Sequence, residues 1–282
     1  MTVPSVLAVF AHPDDESLSA GGLLARSASE GGRTAVVTTT WAEDSPRAKE
    51  LAEALRFLGA ESPRFLGYAD ARLPESARNR PRFCDAPLDE AVGRLARHIR
   101  DFRPDIIVTH DAYGGVTGHP DHLQTHRVTV LAAQAAAMEG LYPDAGTPWL
   151  AHNLYLATHP HSAMETLAKI IGSRKARYSV PDEQVALSVD VTPWLDKKID
   201  AILAHRSEVQ RGALPGLVAS LAPNARTELL STEWYTCWEL PSNVPGPLVR
   251  TGENGVIVLE LQAAATARVR FVGAADLGPT ES

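Results

Sequence analysis

Cysteine and long apolar runs are scarce in this sequence. Its two cysteines, Cys84 and Cys237, lie far apart and form no metal-binding or redox motif, so we expect free thiols in a reducing compartment. No stretch approaches the roughly 18 apolar residues of a membrane-spanning helix, and no secretion signal precedes the first predicted strand. These absences predict a cytoplasmic protein with no integral membrane segment.

The chain also lacks a long basic run. It has 282 residues and a formal net charge of −7, with an isoelectric point near 5.8. An acidic protein without a basic segment is not attracted to nucleic acid or to anionic membranes. We therefore expect a small molecule as its partner, and the composition leaves open whether the chain forms a homo-oligomer.

Apolar, β-branched runs alternate with amphipathic segments along most of the chain. The predicted strands are 6–10, 34–40, 64–68, 105–109, 153–158, 185–191 and 234–240. The predicted helices are 17–29, 47–58, 88–102, 120–138, 162–171 and 193–212. Such alternation is typical of an α/β fold, here a Rossmann-like, mostly parallel sheet with helices on both faces and the active site at the C-terminal strand ends. No Gly-x-Gly-x-x-Gly fingerprint follows the first strand, so the fold alone predicts no nucleotide site.

Prolines mark a boundary near residue 240. Pro241, Pro245 and Pro247 indicate a linker, and two β-like runs follow at 255–261 and 268–272. We therefore predict a main domain over residues 1–240. Residues 241–282 are expected to form the linker, a small β-hairpin extension and a tail.

A first polar cluster directly follows the first predicted strand. His12, Asp14, Asp15 and Glu16 surround Pro13 at the predicted turn from strand to helix. Helix capping and the helix dipole account for a proline at the first helical position and for acids in the first turn. They do not account for an imidazole beside two adjacent carboxylates, at a place where open α/β sheets bind ligands. The cluster alone predicts either a metal site or a well-capped helix start.

A second His-Pro-Asp sequence follows the fourth predicted strand. Residues 118–122 read Gly-His-Pro-Asp-His, and His119 and His122 are three apart, so both can lie on one side of a helical turn. If strands 6–10 and 105–109 are neighbours, both corners face one crevice. Their imidazoles and carboxylates then suit a borderline divalent ion, and three protein ligands with an open position are typical of catalytic zinc.

Together the two motifs resemble those of the zinc-dependent de-N-acetylases of the LmbE-like, or PIG-L, family. The resemblance covers roughly residues 5–210, and residues 1–240 are accordingly expected to form an LmbE-like deacetylase domain. It implies that His12, Asp15 and His122 hold one Zn²⁺ per chain, with Fe²⁺ also suited to this ligand set. It further implies that Asp14 is the general base and that His119 stabilises the oxyanion, most effectively as imidazolium.

Other polar residues near the motifs have supporting roles in this interpretation. Glu16 and Asp121 are expected to orient ligands or to cap helices, and His110, directly after the fourth predicted strand, is expected to support the ligands. His126 lies one helical turn beyond the second motif and is expected to be a helix-face residue instead of a fourth ligand.

Candidate substrate contacts come from loops that follow the predicted strands. They are Trp41, Asp70, Arg72, Asp111 and Thr117. Trp41 could stack on a sugar ring or be an ordinary aromatic at the rim, while Asp70 and Arg72 could hold sugar hydroxyls or form a loop salt bridge. His159 or His161, at the end of the fifth predicted strand, could also reach the pocket.

Two departures from the family pattern bear on specificity. Members of the mycothiol pathway carry a tyrosine near the position of Thr117 and an arginine where this chain has Ala69. That tyrosine assists the oxyanion and that arginine reaches the sugar. Their absence weakens a mycothiol-specific role without excluding it.

The resemblance implies a hydrolase that removes an N-acyl group, most simply N-acetyl, from an amino sugar or its glycoside. One alternative is an amidase that cleaves a larger thiol-sugar conjugate, as mycothiol S-conjugate amidase does. Another is a non-catalytic sugar-binding relic. A relic should have lost a ligand or the base, and all five expected residues are present. The sequence therefore favours an enzyme.

Overall fold

The computed structural model describes residues 3–172, 176–240, 250–251 and 257–258. The chain divides into two compact units, Met1–Leu240 and Pro241–Ser282. In the second unit Arg250–Thr251 pairs antiparallel with Ile257–Val258. The predicted strand 268–272 and most of 255–261 lie outside the described residues, so the hairpin extension stays a prediction.

Seven strands and nine helices are described in the first unit. The strands are β1 (Val6–Phe10), β2 (Thr34–Thr40), β3 (Arg64–Tyr68), β4 (Ile106–His110), β5 (Asn153–Thr158), β6 (Leu187–Asp190) and β7 (Thr232–Glu239). The helices are α1 (Asp15–Ser29), α2 (Pro46–Leu58), α3 (Leu88–Phe102), α4 (Pro120–Ala137), α5 (Met164–Ile171), α6 (Leu195–Ala204), α7 (Arg206–Arg211), α8 (Leu214–Ser220) and α9 (Pro223–Leu230).

All seven strands form one sheet in the order β3-β2-β1-β4-β5-β7-β6. The first five in chain order pair in parallel, whereas β7 is antiparallel to both β5 and β6. The predicted mostly parallel α/β sheet is therefore confirmed. Strands β1 and β4 are direct neighbours, so the two polar motifs leave the sheet side by side at the same edge.

The alternating side chains of β1 separate two cores, one on each face of the sheet. Leu7 and Val9 belong to the core that contains residues of α3 and α4. Val6, Ala8 and Phe10 belong to the core that contains residues of α1, α2 and α6. A strand with both faces covered needs apolar residues at every position, and this explains its continuous apolar run.

The C-terminal end of α4 is closed by a buried arginine of α3. The Arg100 guanidinium, 2% exposed, donates hydrogen bonds to six backbone carbonyls. The acceptors are Ala135, Ala136, Met138, Leu141, Tyr142 and Gly146. The last carbonyls of a helix have no partner within the helix and carry its negative dipole end, so a buried cation stabilises them.

The prediction of one continuous helix over residues 193–212 is wrong. This segment is divided into α6 and α7 at His205, which has φ −77° and ψ 64°. His205 is fully buried, and its Nε2 lies 3.0 Å from Oε1 of Glu16 on α1. This tertiary contact overrides a helical pattern that continues through the position. Helices α8 and α9 were not predicted, and predicted helix 162–171 begins with a 3-10 turn before α5.

None of the helices in the part of the chain that the structure describes is long and apolar enough to cross a membrane.

Candidate metal centre and active site

The site lies where β1 and β4 end and α1 and α4 begin. Asp14 lies between β1 and α1. Its φ of 133° is in a region that residues other than glycine rarely adopt. Its backbone N–H donates to Oε2 of Glu16 at 3.0 Å, while Oε1 of Glu16 accepts from Ser17 and faces His205. Glu16 therefore holds the strained corner in place from inside the protein.

The three predicted metal ligands bring one donor atom each to a common point. Nδ1 of His12 lies 3.2 Å from Oδ2 of Asp15 and 3.2 Å from Nε2 of His122. Nε2 of His122 lies 3.3 Å from the same Asp15 oxygen. Donor atoms bound about 2.0–2.2 Å from one zinc ion are separated by distances of this size. The donor set therefore fits a divalent cation.

The second nitrogen of each ligand imidazole is held by the protein. Nδ1 of His122 lies 3.1 Å from the backbone carbonyl of Gly114, which can only accept, so the ring proton is on Nδ1 and Nε2 is free to bind a metal. Nε2 of His12 lies 3.2 Å from carboxylate oxygens of both Asp121 and Asp70. Ligand histidines in metalloproteins are usually oriented by such partners.

Three further groups of potential donors overlap with this set. They are His12, His119 and His122; His12, Asp70, His119 and Asp121; and Asp15, His110 and His122. Within each group the donor atoms lie within 4.8 Å of one another. His126 belongs to none of these groups, and its Nδ1 lies 2.9 Å from the His110 carbonyl.

The charges of the cluster favour a cation at its centre. Burial disfavours the charged form of His12, but hydrogen bonds to Asp121 and Asp15 outweigh it and raise the pKa of His12 to about 10. Burial also opposes ionisation of Asp15, yet the neighbouring charge of His122 and hydrogen bonds to His110 and His12 hold its pKa well below its usual value. The metal-free site thus keeps a proton, and metal binding generally displaces such protons.

Asp14 is buried beside the ligands and is held by an arginine. Nη2 of Arg47 lies 3.3 Å from Oδ1 of Asp14, and the same guanidinium donates to the carbonyl of Pro13 and pairs with Glu208 at 3.2 Å. Burial raises the pKa of Asp14 to about 7 against the opposing charge of Arg47. A carboxylate with a pKa near neutrality can both take and return a proton.

The structure favours the neutral form of His119, not the imidazolium that we expected. Nδ1 of His119 accepts the backbone N–H of Asp121 at 3.3 Å and so caps α4. Burial and the charges of His12 and His122 lower the pKa of His119 to about 4. With Nδ1 as an acceptor, the proton of the neutral ring lies on Nε2, which can then donate a hydrogen bond.

A cavity of about 300 Å³ opens over the cluster. The predicted site residues that line it are His12, Asp14, Asp15, Asp70, Arg72, Thr117, His119 and His122. His159 also lines it, whereas Nδ1 of His161 is 2.7 Å from the Ser179 hydroxyl. Asp70 contacts His12 and accepts the backbone N–H groups of Arg72 and Leu73, so its carboxylate orders the loop after β3.

Two predicted substrate contacts, Trp41 and Asp111, do not line this cavity. Trp41 has φ 73° and its ring lies under the Arg47 guanidinium, 4.7 Å from ring centroid to Cζ. Asp111 accepts the N–H groups of Tyr113 and Gly115 and the hydroxyl of Thr158. The structure therefore gives Asp111 hydrogen-bond partners and the Trp41 ring a cation–π partner, whereas the buried Nε1 of Trp41 has no hydrogen-bond partner among the described residues.

Sequence reasoning missed several charged residues of this cavity. Arg47 and Glu208 lie beside Asp14, and Lys198 forms a buried pair with Glu233. A basic residue in the first turn of a helix opposes the helix dipole, so the position of Arg47 was a usable signal. Lys198 falls on the apolar face of α6, which was a second signal. No local pattern marks Glu208 or Glu233.

Comparisons with known proteins identify the family of this chain. The family model of GlcNAc-PI de-N-acetylase (PIG-L) matches residues 7–133. The chain is 33% identical over 285 residues to a 1D-myo-inositol 2-acetamido-2-deoxy-alpha-D-glucopyranoside deacetylase of Rhodococcus erythropolis, covering 89% of this chain and 94% of the relative. A relative of the same name from Thermomonospora curvata is 35% identical, with 89% and 95% covered.

The fold is similar to that of N,N'-diacetylchitobiose deacetylase from Pyrococcus horikoshii. The TM-score is 0.60 and the sequence identity 18%, over 84% of each chain. Family model, relatives and fold agree with the resemblance carried by the two motifs. This chain is a member of the PIG-L, or LmbE-like, family of de-N-acetylases.

Proposed function

We propose that this protein is a metal-dependent hydrolase that removes an N-acyl group, most simply N-acetyl, from an amino sugar or its glycoside. The observation that carries the proposal is the meeting of three donor atoms, of His12, Asp15 and His122, within 3.2–3.3 Å of one another beside the buried carboxyl of Asp14. The curated relatives are named for a deacetylase of an inositol glycoside, so that substrate is the first to test.

His12, Asp15 and His122 would hold the ion, Zn²⁺ or Fe²⁺, and the other imidazole nitrogens would keep their hydrogen bonds to Asp121, Asp70 and Gly114. When bound, a divalent ion supplies the Lewis acidity that activates water and polarises an amide carbonyl.

Asp14 accepts the proton of the attacking water and returns it to the nitrogen of the leaving amine. A pKa near 7 supports both steps, because the carboxylate is substantially ionised at neutral pH and still basic enough to take a proton. Arg47 fixes the orientation of Asp14 through the contact at 3.3 Å. His119 donates Nε2–H to the carbonyl oxygen as negative charge develops there.

Asp70, Arg72 and Thr117 are the proposed contacts for the sugar. All three line the cavity, and Arg72 and Thr117 offer donors for hydroxyl groups. Asp70 already accepts two backbone N–H groups, so we assign it mainly to holding Arg72 and His12 in place.

The test is amine release by protein stripped of metal and refilled with one equivalent of Zn²⁺ or, without oxygen, Fe²⁺. Substrates are N-acetylglucosamine, its inositol glycoside and N,N'-diacetylchitobiose. We expect no release without metal and restored release with it. Release that is insensitive to metal removal would contradict the metal-dependent mechanism, and a metal-loaded protein inactive on the whole panel would contradict the proposed reaction.

A further inference from the structure

The cavity over the metal ligands has two sides of different chemistry. The predicted metal ligands and Asp14 lie at the ends of β1 and β4. In the sheet, β3 is on one side of these two strands, and β5 and β7 are on the other side. The β3 side contributes Asp70, Arg72 and Leu73. The other side, which we call the apolar half, is lined by Leu18, Leu167, Val218, Leu229, Leu230 and Trp234.

The charged residues that line the cavity near the apolar half occur in pairs. Arg211 pairs with Glu208, and Lys198 pairs with Glu233. Nζ of Lys198 lies 2.7 Å from Oε1 of Glu233, and these two residues are 1% and 3% exposed. The Glu233 carboxylate further accepts the N–H groups of Gly22 and Leu23 and the hydroxyl of Tyr235. Because the charges of Lys198 and Glu233 are satisfied within the protein, this pair does not require a charged group on the ligand.

A second cavity, lined in part by Ser162, Thr166 and Glu228, adjoins the apolar half. It has a volume of about 240 Å³ and shares His159, Leu167, Leu229 and Trp234 with the first. The rings of His159 and Trp234 are 5.9 Å apart, and burial together with the charge of Lys198 lowers the pKa of His159 to about 4. The boundary between the two cavities is therefore uncharged at neutral pH.

An amide substrate has to place its two substituents on opposite sides of the reacting carbonyl. If the carbonyl carbon lies at the cluster and the sugar on the side of Arg72, the acyl group points toward β5 and β7. Three side chains of the apolar half, Leu18, Leu229 and Trp234, are only half-buried, and a methyl group alone would leave them partly in contact with water. Apolar surfaces of this kind favour an apolar ligand.

We infer that the apolar half is a binding site for a straight aliphatic acyl chain, and that the preferred substrates are amino sugars with an N-acyl group longer than acetyl. This inference rests on the proposed hydrolysis and extends its substrate class. The bond changes are those of any amide hydrolysis: the C–N bond breaks, a C–O bond forms from water, and the products are a fatty acid and the free amine. No further reactant is needed.

The expected effect lies in binding. Each buried methylene contributes about a fourfold gain in affinity, from the transfer of roughly 0.8 kcal/mol. The chain does not touch the reacting atoms, so it binds substrate and transition state alike and lowers KM at nearly constant kcat. We expect kcat/KM to rise about tenfold or more from acetyl to butanoyl and to rise further with hexanoyl.

The experiment is a chain-length series on metal-loaded protein: N-acetyl-, N-butanoyl-, N-hexanoyl- and N-octanoylglucosamine, with amine release measured for each. Leu229→Trp places a larger side chain in the apolar half and should reduce the hexanoyl-to-acetyl ratio of kcat/KM by about tenfold. The matched control is Leu217→Trp, at a half-buried leucine of α8 that does not line either cavity. This control should keep the ratio of the unaltered protein.

Three results would overturn the inference, and they differ from one another. Acetyl hydrolysis with a flat or falling response to chain length would refute the acyl site and leave the proposed deacetylation standing. A rate gain from an octyl aglycone on N-acetylglucosamine, lost in Leu229→Trp, would assign the apolar half to the aglycone instead. No release from any member despite stoichiometric metal would refute the proposed hydrolysis itself. If Leu229→Trp does not fold, the series in the unaltered protein decides.

Discussion

Replacing Asp14 by asparagine should abolish most turnover and at the same time stabilise the metal-free protein. Asparagine has nearly the same shape, is among the residues that tolerate positive φ, and its side-chain oxygen can still accept from Arg47. It cannot act as a base. We therefore expect intact metal binding through His12, Asp15 and His122, and a loss of about 10²–10⁴ in kcat.

The gain in stability follows from the burial of Asp14. In the folded protein its pKa is raised from 3.8 to about 7. A raised acid pKa means that the native state holds the proton more tightly than the unfolded chain, so stability falls as pH rises from about 4 to about 7. At about 1.4 kcal/mol per unit, this shift corresponds to a few kcal/mol above pH 7. Asparagine is never charged, so the variant avoids this loss.

The assay is urea unfolding of both metal-free proteins at several pH values, together with metal content and amine release after reloading. The difference in the free energy of unfolding should be largest above pH 7 and should vanish near pH 4. Asp144→Asn, at an exposed aspartate, is the control and should show neither effect. Normal turnover by Asp14→Asn would refute the base assignment. A variant less stable than the parent at pH 8 would refute the burial argument.

Two further predictions concern the metal and the fold. His122→Ala should weaken metal binding by more than the roughly 10- to 100-fold loss that is typical when a residue hydrogen-bonded to a ligand is removed. His126→Ala, one turn further along α4, is the control and should keep its metal. Equal metal content in the two variants would refute the ligand set. Arg100→Met leaves six carbonyls without their donor and should lower the free energy of unfolding by about 3–5 kcal/mol in urea titrations, while Arg97→Met, exposed on the same helix, should change it little.

Much of the site could be predicted because its residues are neighbours in sequence. His12, Asp14 and Asp15 follow one apolar strand, and His119 and His122 follow another. In a parallel sheet these corners share an edge, and the motif identifies the donors. The fold class was predictable for the same reason, since alternating apolar strands and amphipathic helices allow few other arrangements.

Contacts between distant segments could not be predicted in this way. The break at His205 depends on Glu16, almost 190 residues earlier, and a periodic pattern contains no information about such a partner. The antiparallel insertion of β7 between β5 and β6 likewise depends on pairing across the chain. A strand of this kind pairs with an edge that the parallel strands leave unpaired, and local sequence patterns do not specify that edge.

The sequence by itself determined the parallel core, the two polar corners and the donor types, because local propensity and spacing specify them. Only the tertiary structure decided that Arg47 contacts Asp14, that the pKa of His119 is lowered, and that an apolar surface from α5, α8, α9 and β7 lies beside the predicted metal ligands. Burial sets protonation, and burial is a property of the assembled layers. The same holds for the shape of the cavity, to which α2, α5 and α6 contribute one side chain each, Arg47, Leu167 and Lys198.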